Sequence, residues 1–293
     1  MGYKRILFRG LCTALATPFR DGRIDWDTLA DLINYQIDQR VDALLVCGTT
    51  GEAATLSPKE RKELVLRAGE LIDGRVQYLV GVGTNSTDTT LAWACHAAAC
   101  GADGLLVVSP YYNKGTEEGV VQHHLRIAEK VSLPQLIYHV PSRTGVRLSM
   151  SQLAEIAAHP SVVGIKEADP DLDRMADEIG ALGDRLSVYS GNDSLTIPCL
   201  SIGGLGLISV ISNILPYEMG EIIRLFWAGR AEESRALFYR LLPLMRLLFA
   251  RTNPAPLKCA MSLCGFGTGE LRLPLAPVPT HIRTAIGEAL SVL

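Results

Sequence analysis

The stretch Val162–Asp169, VVGIKEAD, is a short apolar run that ends on an ammonium group with an acid directly behind it. A run this rich in Val and Ile, bounded by polar segments of helical pattern, predicts a parallel strand covered on both faces. A lysine at the end of such a strand has two explanations. Either the strand emerges into solvent there, or the amine is held in a closed site where its uncharged form does chemistry. The rest of the sequence decides between them.

Working outward from this run, seven others of the same kind appear. They are Leu11–Ala16, Ala43–Cys47, Tyr78–Gly81, Gly104–Val108, Leu136–His139, Leu186–Tyr189 and Leu207–Val210. Amphipathic stretches with start and stop signals lie between them. In SPKE, Ser57 is placed to cap a helix, Pro58 fits its first position and Glu60 completes a capping box. Gly74 and Gly101 fall where the second and third helices should stop. Eight strand–helix units, spaced by about 25–30 residues, predict an α/β fold of the TIM (β/α)8 barrel type. A doubly wound sheet fits less well, because GVGTNS from Gly81 lacks the last glycine of a dinucleotide-binding turn. After Gly229 three amphipathic helical stretches follow without a strand, interrupted by TNPAP and RLPLAPVP. The expected organisation is a barrel over residues 1–229 and a C-terminal helical domain over 230–293.

A barrel places its active site at the C-terminal ends of its strands. The residues expected there are GTTGE (48–52), PYYN (110–113), Tyr138 through Gly145, Lys166, and SGND (190–193). Polar, hydroxyl-bearing and glycine-rich residues collect at this one rim, and Lys166 stands among them.

Composition narrows the partners. The 293 residues are 48% hydrophobic and 20% charged, as in a well-packed globular protein. The net charge of −3, without a basic stripe carrying aromatics, argues against nucleic acid. At the start, Lys4 and Arg5 precede apolar residues, but Arg9 interrupts that run too early for a signal peptide. Ile6 occupies the place where a myristoylation signal needs Ser or Thr. No apolar stretch approaches the roughly 20 residues of a membrane span, so no membrane is expected and a cytoplasmic protein is. The seven cysteines contain no CxxC and sit mostly in apolar context, which predicts buried free thiols. With no HExxH and no zinc spacing, neither a metal nor a cofactor is expected.

The motifs GTTGE, PYYN, YHVPSRTGV, GIKEAD and SGND, in this order and spacing, resemble the pyruvate-dependent class I aldolases and lyases, the N-acetylneuraminate lyase family. Within it the chain is most similar to the dihydrodipicolinate synthases. The likeness runs from about Gly10 to the NPAPLK and LRLPLAP segments. It implies a βα barrel with a helical C-terminal domain, a homodimer or homotetramer, and condensation of pyruvate with L-aspartate 4-semialdehyde through a lysine Schiff base.

The resemblance also implies roles. Lys166 forms the imine with pyruvate, and Tyr138 is the general acid/base beside it, a role suited to a phenol that both donates and accepts. Thr49 is a relay hydroxyl and Thr50 a carboxylate binder. Tyr112 is lent to a neighbouring subunit, completing a Tyr138–Thr49–Tyr112 proton path, while Tyr111 packs at the interface. Arg143 holds the semialdehyde carboxylate, as a planar guanidinium is suited to do. Gly191 and Ile208 lie around bound pyruvate. His139 departs from the pattern, since many of these synthases carry Asn there and YH also occurs in sialic-acid lyases. Those lyases usually have Ser before Thr in the GTTGE position and lack the arginine, so Thr49 and Arg143 side with the synthase. A lyase acting on N-acetylneuraminate or a 2-keto-3-deoxy sugar acid is the alternative. A non-catalytic keto-acid sensor is a third, which the proton path argues against.

Overall fold

A computed structural model describes residues 5–293. Lys4, which entered the reading of the N-terminal segment, lies outside the described residues. Eight strands follow one another in the chain: β1 (Gly10–Ala14), β2 (Ala43–Val46), β3 (Gln77–Gly81), β4 (Gly104–Val108), β5 (Gln135–His139), β6 (Val162–Glu167), β7 (Ser187–Ser190) and β8 (Gly206–Ser209). Their hydrogen-bonded order is β1-β8-β7-β6-β5-β4-β3-β2, a closed barrel. Each apolar run of the sequence is one strand, with ends that differ by at most two residues. A two-stranded antiparallel hairpin, Phe19–Arg20 with Arg23–Ile24, was not expected from sequence. Its strands are too short to show a periodicity.

By internal contacts the chain forms two compact units. The first contains the N-terminal residues through Arg9 together with Gln77–Ile208. Here β3 to β7 pair in parallel, and the register sets Tyr138 against Lys166 and His139 against Glu167. All six residues of β6 are buried. Its Gly164 is there for space: a Cβ at that position would lie 2.6 Å from the Ser187 carbonyl oxygen and 2.8 Å from Leu136 Cδ2. The pairing with β5 also slips by one residue beside it, at Gln135/Leu136. Between these strands and the helices that follow, a core is built from residues such as Ile137, Ile165, Val188, Leu153, Ile156 and Met175. Each fully buried aliphatic side chain of this size contributes about 1.5–3 kcal/mol, so the barrel wall is a rigid frame for what it carries.

The second unit contains Gly10–Val76 and Ser209–Leu293. β1 and β2 pair in it, with Cys12 opposite Ala43 and Ala14 opposite Leu45. The helix Pro58–Ile72 begins as expected: Ser57 Oγ accepts from the Glu60 N–H, and the Glu60 carboxylate accepts from the Ser57 N–H. It stops at Asp73 and Gly74, both in the left-handed region at φ 46° and 65°. Three helices end the chain, Ala231–Leu247, Ala255–Leu263 and Thr280–Ser291. Pro254 and Pro256 stand at the start of the second of these, which explains why TNPAP interrupts the helical pattern.

Four of the seven cysteines, Cys12, Cys47, Cys199 and Cys259, are buried, and none of the seven is in a disulfide. Among the described residues no helix is long and apolar enough to cross a membrane.

Candidate active site

The strand alternation of β6 sends Lys166 and Glu167 to opposite faces of the barrel wall. Lys166 is 6% exposed, and its Nζ lies 4.6 Å from the ring centroid of Tyr138, its register partner on β5. Tyr138 is itself buried. The strand therefore does not simply emerge into solvent at this lysine. Its stem runs past Gly191, which follows β7 and donates its N–H to the Glu167 carbonyl at 2.6 Å. A Cβ at 191 would lie 3.1 Å from Lys166 Cε and 2.9 Å from Ala168 Cβ. A side chain at 191 would therefore crowd Ala168 and the lysine stem. Ile208, fully buried on β8, follows the Leu207–Ser190 register pair and so stands level with Gly191.

Two other residues singled out from sequence are carried by the same unit but are open to solvent in the single chain. Arg143 lies on the short helical turn Pro141–Thr144 just after β5, exposed, with no ion pair among the described residues. Tyr112 is 91% exposed, and its backbone is left-handed at φ 70°. For a residue with a Cβ that conformation costs about 1–3 kcal/mol, a strain that persists where the surroundings impose it and that is common at functional sites. Tyr111, its neighbour, is half-buried.

In the second unit, the GTTG turn after β2 lies between two left-handed residues, Cys47 at φ 54° and Glu52 at φ 50°. Thr49 is half-buried and accepts the Glu52 N–H at its carbonyl, 3.1 Å away. Thr50 is buried, and its Oγ accepts from Nδ2 of Asn253 at 2.9 Å. With that lone pair engaged, the Thr50 hydroxyl proton is left to donate to another acceptor. Glu52 is paired with Lys258; both are buried, and the Lys258 Nζ also lies 4.0 Å from the Phe19 ring centroid.

Sequence reasoning noticed the residues directly behind Lys166 and Tyr138 but assigned them no place in the site. His139 and Glu167 are each the next residue along, so both face the helices rather than the rim. His139 Nδ1 lies 2.9 and 2.7 Å from the two carboxylate oxygens of Glu167. Arg174 and Glu178, from the helix Leu172–Leu182, complete the cluster, with Arg174 Nε 2.9 Å from Glu178 and 3.4 Å from Glu167. Burial lowers His139 to about 4, so its ring is neutral at physiological pH. Burial, reinforced by the charge of Glu167, pushes Glu178 up to about 8. A signal for this cluster was present in the sequence: Glu178 shares the buried stripe of its helix with Met175 and Leu182, where an acid needs a partner. His139, shared with the sugar-acid lyases, is thus buried against Glu167 rather than presented at the rim.

Comparison with known proteins places this geometry. Residues 7–293 match the dihydrodipicolinate synthetase family. The chain is 46% identical to the 4-hydroxy-tetrahydrodipicolinate synthase of Thermotoga petrophila over 92% of its own length and 94% of the relative's. The structure superposes with a TM-score of 0.94 on dihydrodipicolinate synthase from Thermotoga maritima, at 44% identity, covering 98% of this chain and 99% of that one. It superposes with a TM-score of 0.95 on the 4-hydroxy-tetrahydrodipicolinate synthase of Methylacidiphilum fumariolicum, at 40% identity, covering 97% and 95%. On a match that spans the barrel and the C-terminal helices together, the chain belongs to the dihydrodipicolinate synthetase family.

Proposed function

We propose that this protein is a 4-hydroxy-tetrahydrodipicolinate synthase, a Schiff-base-forming lyase that condenses pyruvate with L-aspartate 4-semialdehyde. The observation that carries the reading is Lys166: a buried amine at the rim end of β6, beside a phenol, with a glycine clearing its path.

The chemistry follows from these groups. The uncharged Lys166 amine adds to the ketone carbon of pyruvate, and loss of water gives an iminium. That iminium draws electrons, so a methyl proton leaves and an enamine forms. The enamine carbon adds to the aldehyde of the semialdehyde, making the new carbon–carbon bond. The substrate's own amine then attacks the imine carbon and displaces Lys166, which closes the ring and frees the enzyme. Tyr138 takes and returns protons at the imine, a role its nearness to Lys166 supports. Thr49 and a Tyr112 from a second copy extend that proton path, and Thr50 donates to the pyruvate carboxylate. Arg143 binds the carboxylate of the semialdehyde, while Gly191 and Ile208 shape the space around pyruvate. The exposure and left-handed backbone of Tyr112 support its use by a neighbouring subunit, in a homodimer or a homotetramer. Residues 230–293 are read as a helical domain appended to the barrel.

The test is reductive trapping. Pyruvate followed by borohydride should add a stable mass to Lys166, located by peptide mapping. An adduct on another lysine, or none, would end the assignment.

A further inference from the structure

We propose that His139 and Glu167 form a clamp that holds the rim ends of β5 and β6 together, so that Tyr138 and Lys166 keep the spacing imine chemistry needs. The inference rests on the Schiff-base reading of Lys166 and adds positioning residues to it.

The argument begins with register. Tyr138 pairs with Lys166, and one step along His139 pairs with Glu167. Side chains alternate along each strand, so the reacting pair lies on one face of the wall and the clamp on the other, one residue further out. A bond between the outer pair constrains the inner pair through two adjacent backbones. The same strand ends are tied again by the Ala168 N–H, which donates to the His139 carbonyl at 2.9 Å.

The clamp is held in one arrangement. The Leu148 N–H donates to His139 Nε2 at 3.3 Å, so that nitrogen is the acceptor and Nδ1 carries the proton given to Glu167. Glu167 also accepts the Asp169 N–H at 2.6 Å and faces Arg174. The remaining charged neighbours are Glu178, which faces Arg174, and Asp169, which pairs with Arg147 at 3.2 Å. The thiol of Cys199 also faces Glu178. Burial holds both Glu167 and Glu178 above the usual carboxylate range, and Arg174 faces both. Donor atoms of His139, Glu167 and Glu178 all lie within 4.8 Å of one another, close enough for a cation, but Arg174 already supplies the positive charge.

Stability alone does not account for this cluster. The side chains of His139, Glu167 and Glu178 are at most 1% exposed. An apolar filling of the same space would commonly be as stable or more so, whereas a directed hydrogen bond between two strand ends, such as that of His139 to Glu167, selects one geometry. Its position one residue behind both reacting side chains gives that selection a use.

The experiment measures the rate at which pyruvate and borohydride trap Lys166, with kcat, KM and thermal melting, in His139→Phe and His139→Asn. Phe fills the ring space without a hydrogen bond, whereas Asn can donate to Glu167. A displacement near 1 Å can cost about 100-fold, so His139→Phe should trap about tenfold more slowly or worse. kcat should fall with the trapping rate, the KM for the semialdehyde should hold, and His139→Asn should restore most of the rate. A folded His139→Phe that traps at the wild-type rate overturns the clamp. If His139→Phe does not fold, Glu167→Gln is read in its place: slowed trapping supports the clamp and an unchanged rate overturns it. Wild-type protein with no adduct at Lys166 would overturn the Schiff-base reading itself, and the clamp with it.

Discussion

Asn253 donates from Nδ2 to the hydroxyl oxygen of Thr50 at 2.9 Å, joining two buried residues 203 positions apart. The NPAP segment therefore serves the GTTGE turn rather than merely separating helices. Because Thr50 accepts this bond, its proton is directed elsewhere, in our reading to the carboxylate of pyruvate. Asn253→Ala should destabilise the fold by about 1–2 kcal/mol, the scale of a lost buried hydrogen bond. It should also raise the KM for pyruvate more than that for the semialdehyde. Urea melts and steady-state kinetics with each substrate varied in turn check both, and equal effects on the two KM values would remove Thr50 from the pyruvate carboxylate.

Arg143 is exposed and has no ion-pair partner among the described residues. A charge-assisted contact to a carboxylate is commonly worth about 1.5–3 kcal/mol. Arg143→Ala should thus lower kcat/KM for the semialdehyde by roughly tenfold or more, while Lys166 is still trapped by pyruvate at the wild-type rate. A variant that used the semialdehyde normally would return the choice of substrate to the sugar-acid lyases.

The barrel was legible because strands covered on both faces are written as unbroken apolar runs, and eight of these alternate with helical patterns that carry their own caps. Ser57 and Glu60 were legible as a cap because both partners lie within one helical turn. Lys166 was legible because an ammonium group is costly in a buried strand. The His139–Glu167 bond joins residues 28 apart, and Asn253–Thr50 residues 203 apart. Nothing local marks such pairs; the fold brings them together, and only the acid on the buried stripe at Glu178 hinted that a partner was needed.

The exposure of Tyr112 predicts complementation between subunits. Tyr112→Phe and Lys166→Ala each leave a defective site, but a mixed dimer can assemble one site with both residues intact. Random pairing into two-fold dimers then gives about one quarter of wild-type activity from an equal mixture. The measurement is activity before and after mixing under conditions that exchange subunits. No recovery in dimers shown to be mixed would mean that each subunit uses its own tyrosine.

The last prediction concerns acid. His123 and His124 lie buried on the helix Glu117–Lys130 and brace two neighbouring segments. His123 Nδ1 is 3.0 Å from the Thr87 hydroxyl, and His124 Nε2 is 3.1 Å from that of Ser109, which directly follows β4. Burial lowers them to about 4 and about 3, each below the 6.5 of a free imidazole. Between those values the unfolded chain binds protons that the folded chain refuses. Their contribution to stability is therefore complete above pH 6.5 and is lost as pH falls toward 4. Each such proton is worth about 1.4 kcal/mol per pH unit. Glu178, pushed up to about 8, has the opposite slope between 4.5 and 8, so wild type alone would show only the balance. The difference between wild type and His123→Gln/His124→Gln cancels that opposing slope. Glutamine can keep the hydroxyl contacts and does not titrate, so the paired variant should lose less stability than wild type between pH 6.5 and 4. Urea unfolding at half-unit steps of pH measures this, and parallel curves would show that the two histidines take up no extra protons on unfolding.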